Sequence, residues 1–171
     1  MKRVITIGCG CLCASLLAVA VASAANATSA GHARNAAAKQ CASLKKADKG
    51  AFRAAYGKHA MRNCIKGTTD EASTELENAA KACKAERRDD PAAFHDNYGK
   101  NHNGRNAFGK CVSSKVHDVV AEEATEFKNA AAECRDERQG DPDAFRDHYG
   151  TAHSKGRNAF GKCVSSKVKH P

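Results

Sequence analysis

The sequence predicts an all-α protein made of three tandem helical units, each stapled by a disulfide bond. One thirteen-residue string, GRNAFGKCVSSKV, occurs at residues 104–116 and again at residues 156–168. Proline occurs only three times, and no stretch alternates between apolar and polar residues with the period of a strand. Six of the nine cysteines fall at matching positions around the repeats. Such internal repetition indicates that one supersecondary unit is reused.

The first 25 residues have the pattern of a secretory signal peptide. Lys2 and Arg3 precede an apolar run that ends at Ala25 among small residues suited to cleavage. An uncleaved anchor is the alternative, because the run is long enough to span a bilayer. Both interpretations place the body of the protein outside the cytosol, where disulfides persist. After cleavage we expect no integral membrane span, and we expect residues 26–34 to form a flexible tail.

Each unit is predicted to contain three helices. The first carries the leading cysteine and, in the third unit, places Phe127 and Cys134 on one face. The second begins at an Asp-Pro pair, because aspartate suits the N-cap and proline suits the first helical position. Gly99 is expected to end this helix as a left-handed cap. The third helix begins near Asn106.

The match between cysteines and aromatic residues divides the chain into a degenerate unit one (35–67), unit two (68–116) and unit three (117–171). Gly67 and Thr68 suggest that one helix stops and another starts there, with Glu71 completing a capping box. No glycine or proline occurs between Cys111 and Gln139. One long helix is therefore expected to join units two and three.

The six cysteines that follow the signal segment allow fifteen pairings, and the repeat favours pairing inside each unit. The rival scheme forms disulfides between neighbouring units and leaves Cys41 and Cys163 unpaired. From Ala25 onward, Leu, Ile, Val and Phe number 15 in 147 residues, so a small core needs cross-links. A zinc or redox role is disfavoured, because no Cys-x-x-Cys occurs. The favoured pairs are Cys41–Cys64, Cys83–Cys111 and Cys134–Cys163.

The net charge of +9 is concentrated in unit one, where nine basic residues and one acid, Asp48, lie between Gly31 and Gly67. This surplus suggests a surface for an anionic polymer or membrane surface. A solvated basic face that only aids solubility is the alternative. The aromatic residues occupy repeat positions typical of a core, so we predict no specific nucleic-acid binding. The candidate polyanion-binding residues are Lys39, Lys45, Lys46, Lys49, Arg53, Lys58, Arg62 and Lys66.

The sequence contains no motif that indicates catalysis. Gly-x-Ser-x-Gly, His-Glu-x-x-His and a phosphate loop are all missing, so we predict no catalytic residues and no cofactor. Most of the eight histidines do not recur between units; His95, for example, corresponds to Arg146. We predict no metal site among them. His102 and His153 lie at the same position of the loop before the third helix, and a weak zinc or copper site there is the alternative.

The string NAFGKCVSSK, preceded by the element D-P-x-A-F-x-x-x-Y-G, resembles repeats in uncharacterised secreted proteins of actinobacterial type. The likeness covers residues 78–116 and 129–168 well, and residues 35–66 weakly. The resemblance implies export and a repeated helical unit, and it implies no activity.

These features favour a secreted, non-enzymatic structural or binding module in the extracellular or cell-wall space, with a polyanion as its partner. Two alternatives stay open. One is a secreted enzyme or toxin whose site is not recognisable in the sequence. The other is a protein–protein adaptor that uses the repeated third-helix faces.

Overall fold

A computed structural model describes residues 18–99, 104–151 and 156–168. Within these ranges the chain forms seven helices and no strand, which confirms the all-α class. Most of the predicted signal segment, and the loop histidines His102 and His153, lie outside the described residues. The helices are α1 (Ala18–Ala47), α2 (Lys49–Tyr56), α3 (Ala60–Asp89), α4 (Pro91–Tyr98), α5 (Ala107–Gly140), α6 (Pro142–Tyr149) and α7 (Ala159–Lys167).

The three disulfides join cysteines within units, as the repeat predicts. In each bridge the two Cα atoms are 6.0 Å apart, and all six cysteines are fully buried. Each bridge connects a first helix to a third helix, so it closes the unit around its short second helix. The pairs are Cys41–Cys64, Cys83–Cys111 and Cys134–Cys163.

The short second helices begin with an aspartate cap in all three units. The side chains of Asp48, Asp90 and Asp141 accept hydrogen bonds from backbone amides in the first turn, at 2.9, 2.9 and 3.0 Å. Each helix then packs a phenylalanine against a tyrosine one turn later, with ring centroids 4.9 to 5.0 Å apart. The caps at Asp90 and Asp141 are those predicted from the Asp-Pro pairs, and Asp48 provides the same cap in unit one without a proline.

The long helix predicted between units two and three is present as α5, which has 34 residues. The break predicted at Gly67 and Thr68 is wrong, because α3 runs through both residues. Thr68 does not cap a helix; its hydroxyl donates to the Cys64 carbonyl oxygen at 3.1 Å. A glycine inside a helix costs only about 1 kcal/mol relative to alanine, and packing along α1 and α5 offsets this.

The predicted tail at residues 26–34 lies within α1 instead. Alanine is the best helix former, and its small side chain lets α1 approach α3 closely. Ala33 and Ala37 are fully or almost fully buried, and Ala36 packs with Ala72 of α3. None of the helices in the described ranges combines the length and apolar character that crossing a membrane requires.

The glycines after Tyr98 and Tyr149 are needed for space and not for a left-handed backbone. The left-handed cap predicted at Gly99 is wrong, since its φ is −90° and that of Gly150 is −73°. A Cβ on either glycine would overlap the carbonyl oxygen four residues earlier, on His95 or Arg146. Of the three glycines that follow a repeated tyrosine, only Gly57 has a positive φ, of 74°.

Units one and three share one hydrophobic core, although they are distant in sequence. Phe52 and Leu44 of unit one pack in the same cluster as Phe127, Phe145 and Val164 of unit three. Helix α2 lies against α7, while α1, α3 and α5 pack along one another. Unit two forms a smaller core of its own around its disulfide. The two end units therefore form one body, and unit two is connected to it through the long helices α3 and α5.

Candidate functional site

The basic residues of unit one are exposed, and their charge is not offset locally. All eight candidate cations are exposed, and within the described residues none of them forms an ion pair. The only acid of this stretch, Asp48, is paired with Arg135 of unit three. Partial burial acts to raise the pKa of Asp48, but the Ala51 amide and the Arg135 guanidinium outweigh it and hold the pKa below its usual value.

The structure brings some of these cations together and leaves others apart. Lys45, Lys49 and Arg53 line one shallow cavity of about 210 Å³, whose floor includes Phe52 and Met61. We call Lys45, Lys49 and Arg53 the basic cluster. Arg62 and Lys66 lie one turn apart on α3, and Lys39 lies on α1 beside a separate groove. Lys46 and Lys58 are exposed without lining a described cavity.

In units two and three, unlike unit one, a lysine of the third helix forms an ion pair with a glutamate of the first helix. In unit two, Lys115 lies 2.5 Å from Glu86, which also accepts a hydrogen bond from Tyr98 at 3.2 Å. Unit three repeats the arrangement with Lys167, Glu137 and Tyr149, where the lysine to glutamate distance is 2.8 Å. The hydrogen bond from each lysine is the main reason that the pKa of each glutamate falls below its usual value.

Unit one lacks this repeated triad. Leu44 occupies the position of the glutamate, twelve residues before Tyr56, and Thr68 occupies the position of the lysine. Both replacements are buried. Unit one therefore has no glutamate of its own to neutralise its lysines, which keeps its surplus of charge at the surface.

An apolar groove with a volume of about 640 Å³ lies between α1, α3 and α5. The third helix of unit two contributes most of its apolar wall, and Val119 nearby is the only large hydrophobic residue counted as exposed in the described part of the chain. The apolar residues that line the groove include Leu76, Phe108, Val112, Val116 and Val120.

A third feature was not predicted from the sequence: Glu71, Glu75 and Glu123 meet where α3 and α5 pack together. We call these three residues the carboxylate cluster; one carboxylate oxygen from each lies within 4.8 Å of those from the other two. Burial, a hydrogen bond to Glu123 and the neighbouring negative charges raise the pKa of Glu75 to about 8. The predicted capping role of Glu71 is wrong, because this residue lies inside α3.

The pair of glutamates at i and i+4 on one helix was the available sequence signal, since such like charges destabilise a helix without a compensating partner. The contribution of Glu123 could not be seen, because α5 meets α3 only in the folded chain. Beside the cluster lies an open cavity of about 650 Å³, whose lining includes Tyr56, Thr68 and Asn78.

Comparison of the chain with protein-family models, with curated proteins and with solved structures finds no match. The functional assignment therefore rests on the surfaces described above. The helices and the three disulfides define the class of protein: an all-α protein stapled by disulfides, of a kind typical of oxidising compartments.

Proposed function

We propose that the protein is a secreted, non-enzymatic binding module that engages an anionic polymer or surface in the extracellular or cell-wall space through unit one. The observation that carries this proposal is the contrast between the units. Units two and three hold as many acids as bases to within one residue, and their Lys115 and Lys167 are each paired with a glutamate, whereas the eight cations of unit one share a single acid that is paired with Arg135. Unpaired, exposed cations are free to contact phosphate, sulfate or carboxylate groups on a polymer.

The basic cluster is the most defined part of this surface. Lys45, Lys49 and Arg53 project from two successive helices around one shallow cavity, so that they converge on one volume. Contacts between cations and a polyanion release counterions, and the affinity then falls steeply with salt. The ion pair between Asp48 and Arg135 holds α2 against unit three, which fixes the position of two of the three cations.

We expect the variant Lys45→Gln, Lys49→Gln, Arg53→Gln to bind heparin, used as a model polyanion, much more weakly than the wild type. The slope of log K against log salt should fall by about 3, roughly one for each cation removed. Binding would be measured by titration across a series of sodium chloride concentrations. The salt concentration that elutes each protein from a heparin column should rank the wild type and the variant in the same order as their affinities.

The matched control is Lys81→Gln, Lys84→Gln, Lys128→Gln, which removes the same charge from exposed residues outside unit one. This control should retain the affinity and the salt slope of the wild type. Equal losses in the two variants would show that net charge alone drives binding, and no binding by the wild type at low salt would overturn the proposed function.

A protein–protein adaptor is the second candidate, and the apolar groove favours it. A partner held there by apolar contacts would stay bound at high salt, unlike a polyanion. Replacing Val116 in the groove by aspartate would release such a partner and leave heparin binding unchanged.

An enzyme or toxin requires a pocket with converging polar groups, and the cavity beside the carboxylate cluster is the nearest match. Its geometry does not fit two-carboxylate glycoside hydrolysis, in which the carboxyl groups stand at least about 5 Å apart. Here Glu75 is hydrogen-bonded directly to Glu123, which leaves no room for a substrate between the two carboxyl groups. Such closeness suits the sharing of a proton or the binding of a cation.

A further inference from the structure

The carboxylate cluster has the donor atoms of a cation site. Glu71 and Glu75 lie one turn apart on α3, and Glu123 faces them from α5. All three side chains are half-buried, so water screens their mutual repulsion only in part. A proton shared between two of the carboxylates, or a cation held by all three, offsets this repulsion.

Gln40 provides an independent observation at the same place. Its side chain is 2% exposed, and its Nε2 donates to the Glu123 Oε2 at 2.6 Å, so the amide lies directly at the cluster. The Gln40 Oε1 and the Glu75 Oε1 are both buried, and neither has a hydrogen-bond partner in the described part of the chain. Nearly all buried polar atoms in native proteins are satisfied by protein, water or an ion, so these two oxygens each have a place for a donor or a cation.

The Gln40 amide can supply either of its polar atoms to the cluster. Oxygen and nitrogen exchange places when the terminal amide turns by half a rotation. In the turned position, Oε1 would take the place of Nε2 beside Glu123 and become a ligand atom. The site would then offer carboxylate oxygens from three glutamates and one amide oxygen.

We propose that Gln40, Glu71, Glu75 and Glu123 form a binding site for one divalent cation of the calcium type. Oxygen-only donors select hard cations such as calcium. With a calcium–oxygen distance of about 2.4 Å, ligands on opposite sides of the ion are about 4.8 Å apart. One oxygen from each glutamate lies within 4.8 Å of the other two, so these three oxygens fit around a single ion. The adjoining open cavity of about 650 Å³ has room for water ligands.

Calcium should raise the melting temperature of the full chain after treatment with a chelator. Sites in extracellular modules bind calcium with Kd values of about 10⁻⁴ to 10⁻³ M. At a calcium concentration about 100-fold above Kd, the expected rise is about 5–10 °C. Glu75→Gln and Glu123→Gln should lose this rise. Both variants keep the shape of the side chain and reduce the crowding of carboxyl groups, so we expect them to fold.

Glu122→Gln is the matched control, because Glu122 is the exposed neighbour of Glu123 on α5. This variant should keep the full calcium response. The absence of a calcium-dependent rise in the wild type, or an equal rise in Glu75→Gln, would overturn the proposal. A rise with magnesium alone would overturn the assignment to a calcium-type ion.

Terbium luminescence gives a second readout that does not depend on stability. Terbium replaces calcium at oxygen sites, and a tyrosine close to the ion sensitises its emission. Tyr56 lines the same cavity as Glu71 and Glu75. Tyr56→Phe should abolish the sensitised emission and retain the calcium-dependent rise in melting temperature, whereas Tyr149→Phe should leave both unchanged. Emission that survives in Tyr56→Phe would place the ion elsewhere and overturn the site. These results are independent of the heparin experiment.

Discussion

Replacing both Cys134 and Cys163 by alanine is expected to lower the free energy of unfolding by about 3–4 kcal/mol and to destabilise unit one together with unit three. The bridge closes a loop with a sequence separation of 29 residues, and loss of that constraint stabilises the unfolded chain by about 3–4 kcal/mol. Both cysteines lie in the core that units one and three share. Chemical denaturation would give the free energy, and hydrogen exchange would locate the loss.

The matched control removes the bridge of unit two by replacing Cys83 and Cys111. The loop is almost the same, with a separation of 28 residues, so the chain-entropy effect is the same. The surrounding core is different, because these cysteines pack only with Phe94, Ala107 and a few half-buried neighbours. Exchange should then rise in α4 while α2 and α7 stay protected. Equal exchange patterns in the two double variants would contradict the division into one shared core and one separate unit.

Gly161→Ala is expected to lower the free energy of unfolding by about 2 kcal/mol or more. Gly161 is buried on α7, where a Cβ would overlap the backbone carbonyl of Ala54 on α2. Backbone atoms cannot rotate away as a flexible side chain can, so the overlap costs about 3 kcal/mol, against about 1 kcal/mol gained in helix propensity. The change would be measured by urea denaturation.

Gly109 is the control, because it occupies the same position in the repeated string. It is exposed on α5, and a Cβ there would meet nothing within 4 Å. Gly109→Ala should therefore raise the free energy of unfolding by about 1 kcal/mol through helix propensity alone. If the two substitutions changed stability by the same amount and in the same direction, the close contact between α2 and α7 would be refuted.

The two glycines also show why the sequence predicted the units and missed their assembly. Residues 104–116 and 156–168 are identical in sequence, so any local argument treats them alike. In the folded chain Val164 is fully buried against unit one, whereas the equivalent Val112 is half-buried and lines the apolar groove. Caps, aromatic pairs and disulfides depend on neighbours within a unit, and these were predictable.

The errors in the helix boundaries share one cause. Gly67 and the alanine-rich stretch 26–34 carry weak local signals, and the packing of α1, α3 and α5 decides both positions. The carboxylate cluster depends on the same packing, since it combines residues from two helices with Gln40 from a third. The basic surplus of unit one was predictable as a charge count. The convergence of Lys45, Lys49 and Arg53 on one cavity was not.

Non-reducing peptide mapping by mass spectrometry reads both the start of the mature chain and its disulfide pairs, and so tests export and the closure of each unit by its own disulfide together. The protein would be recovered from culture medium and digested without reduction. We expect a mature chain that starts near Ala25 or Thr28 and three linked peptide pairs, Cys41–Cys64, Cys83–Cys111 and Cys134–Cys163. Free thiols at these positions would refute the disulfide pairing, and a chain that still begins at Met1 would refute cleavage of a signal peptide.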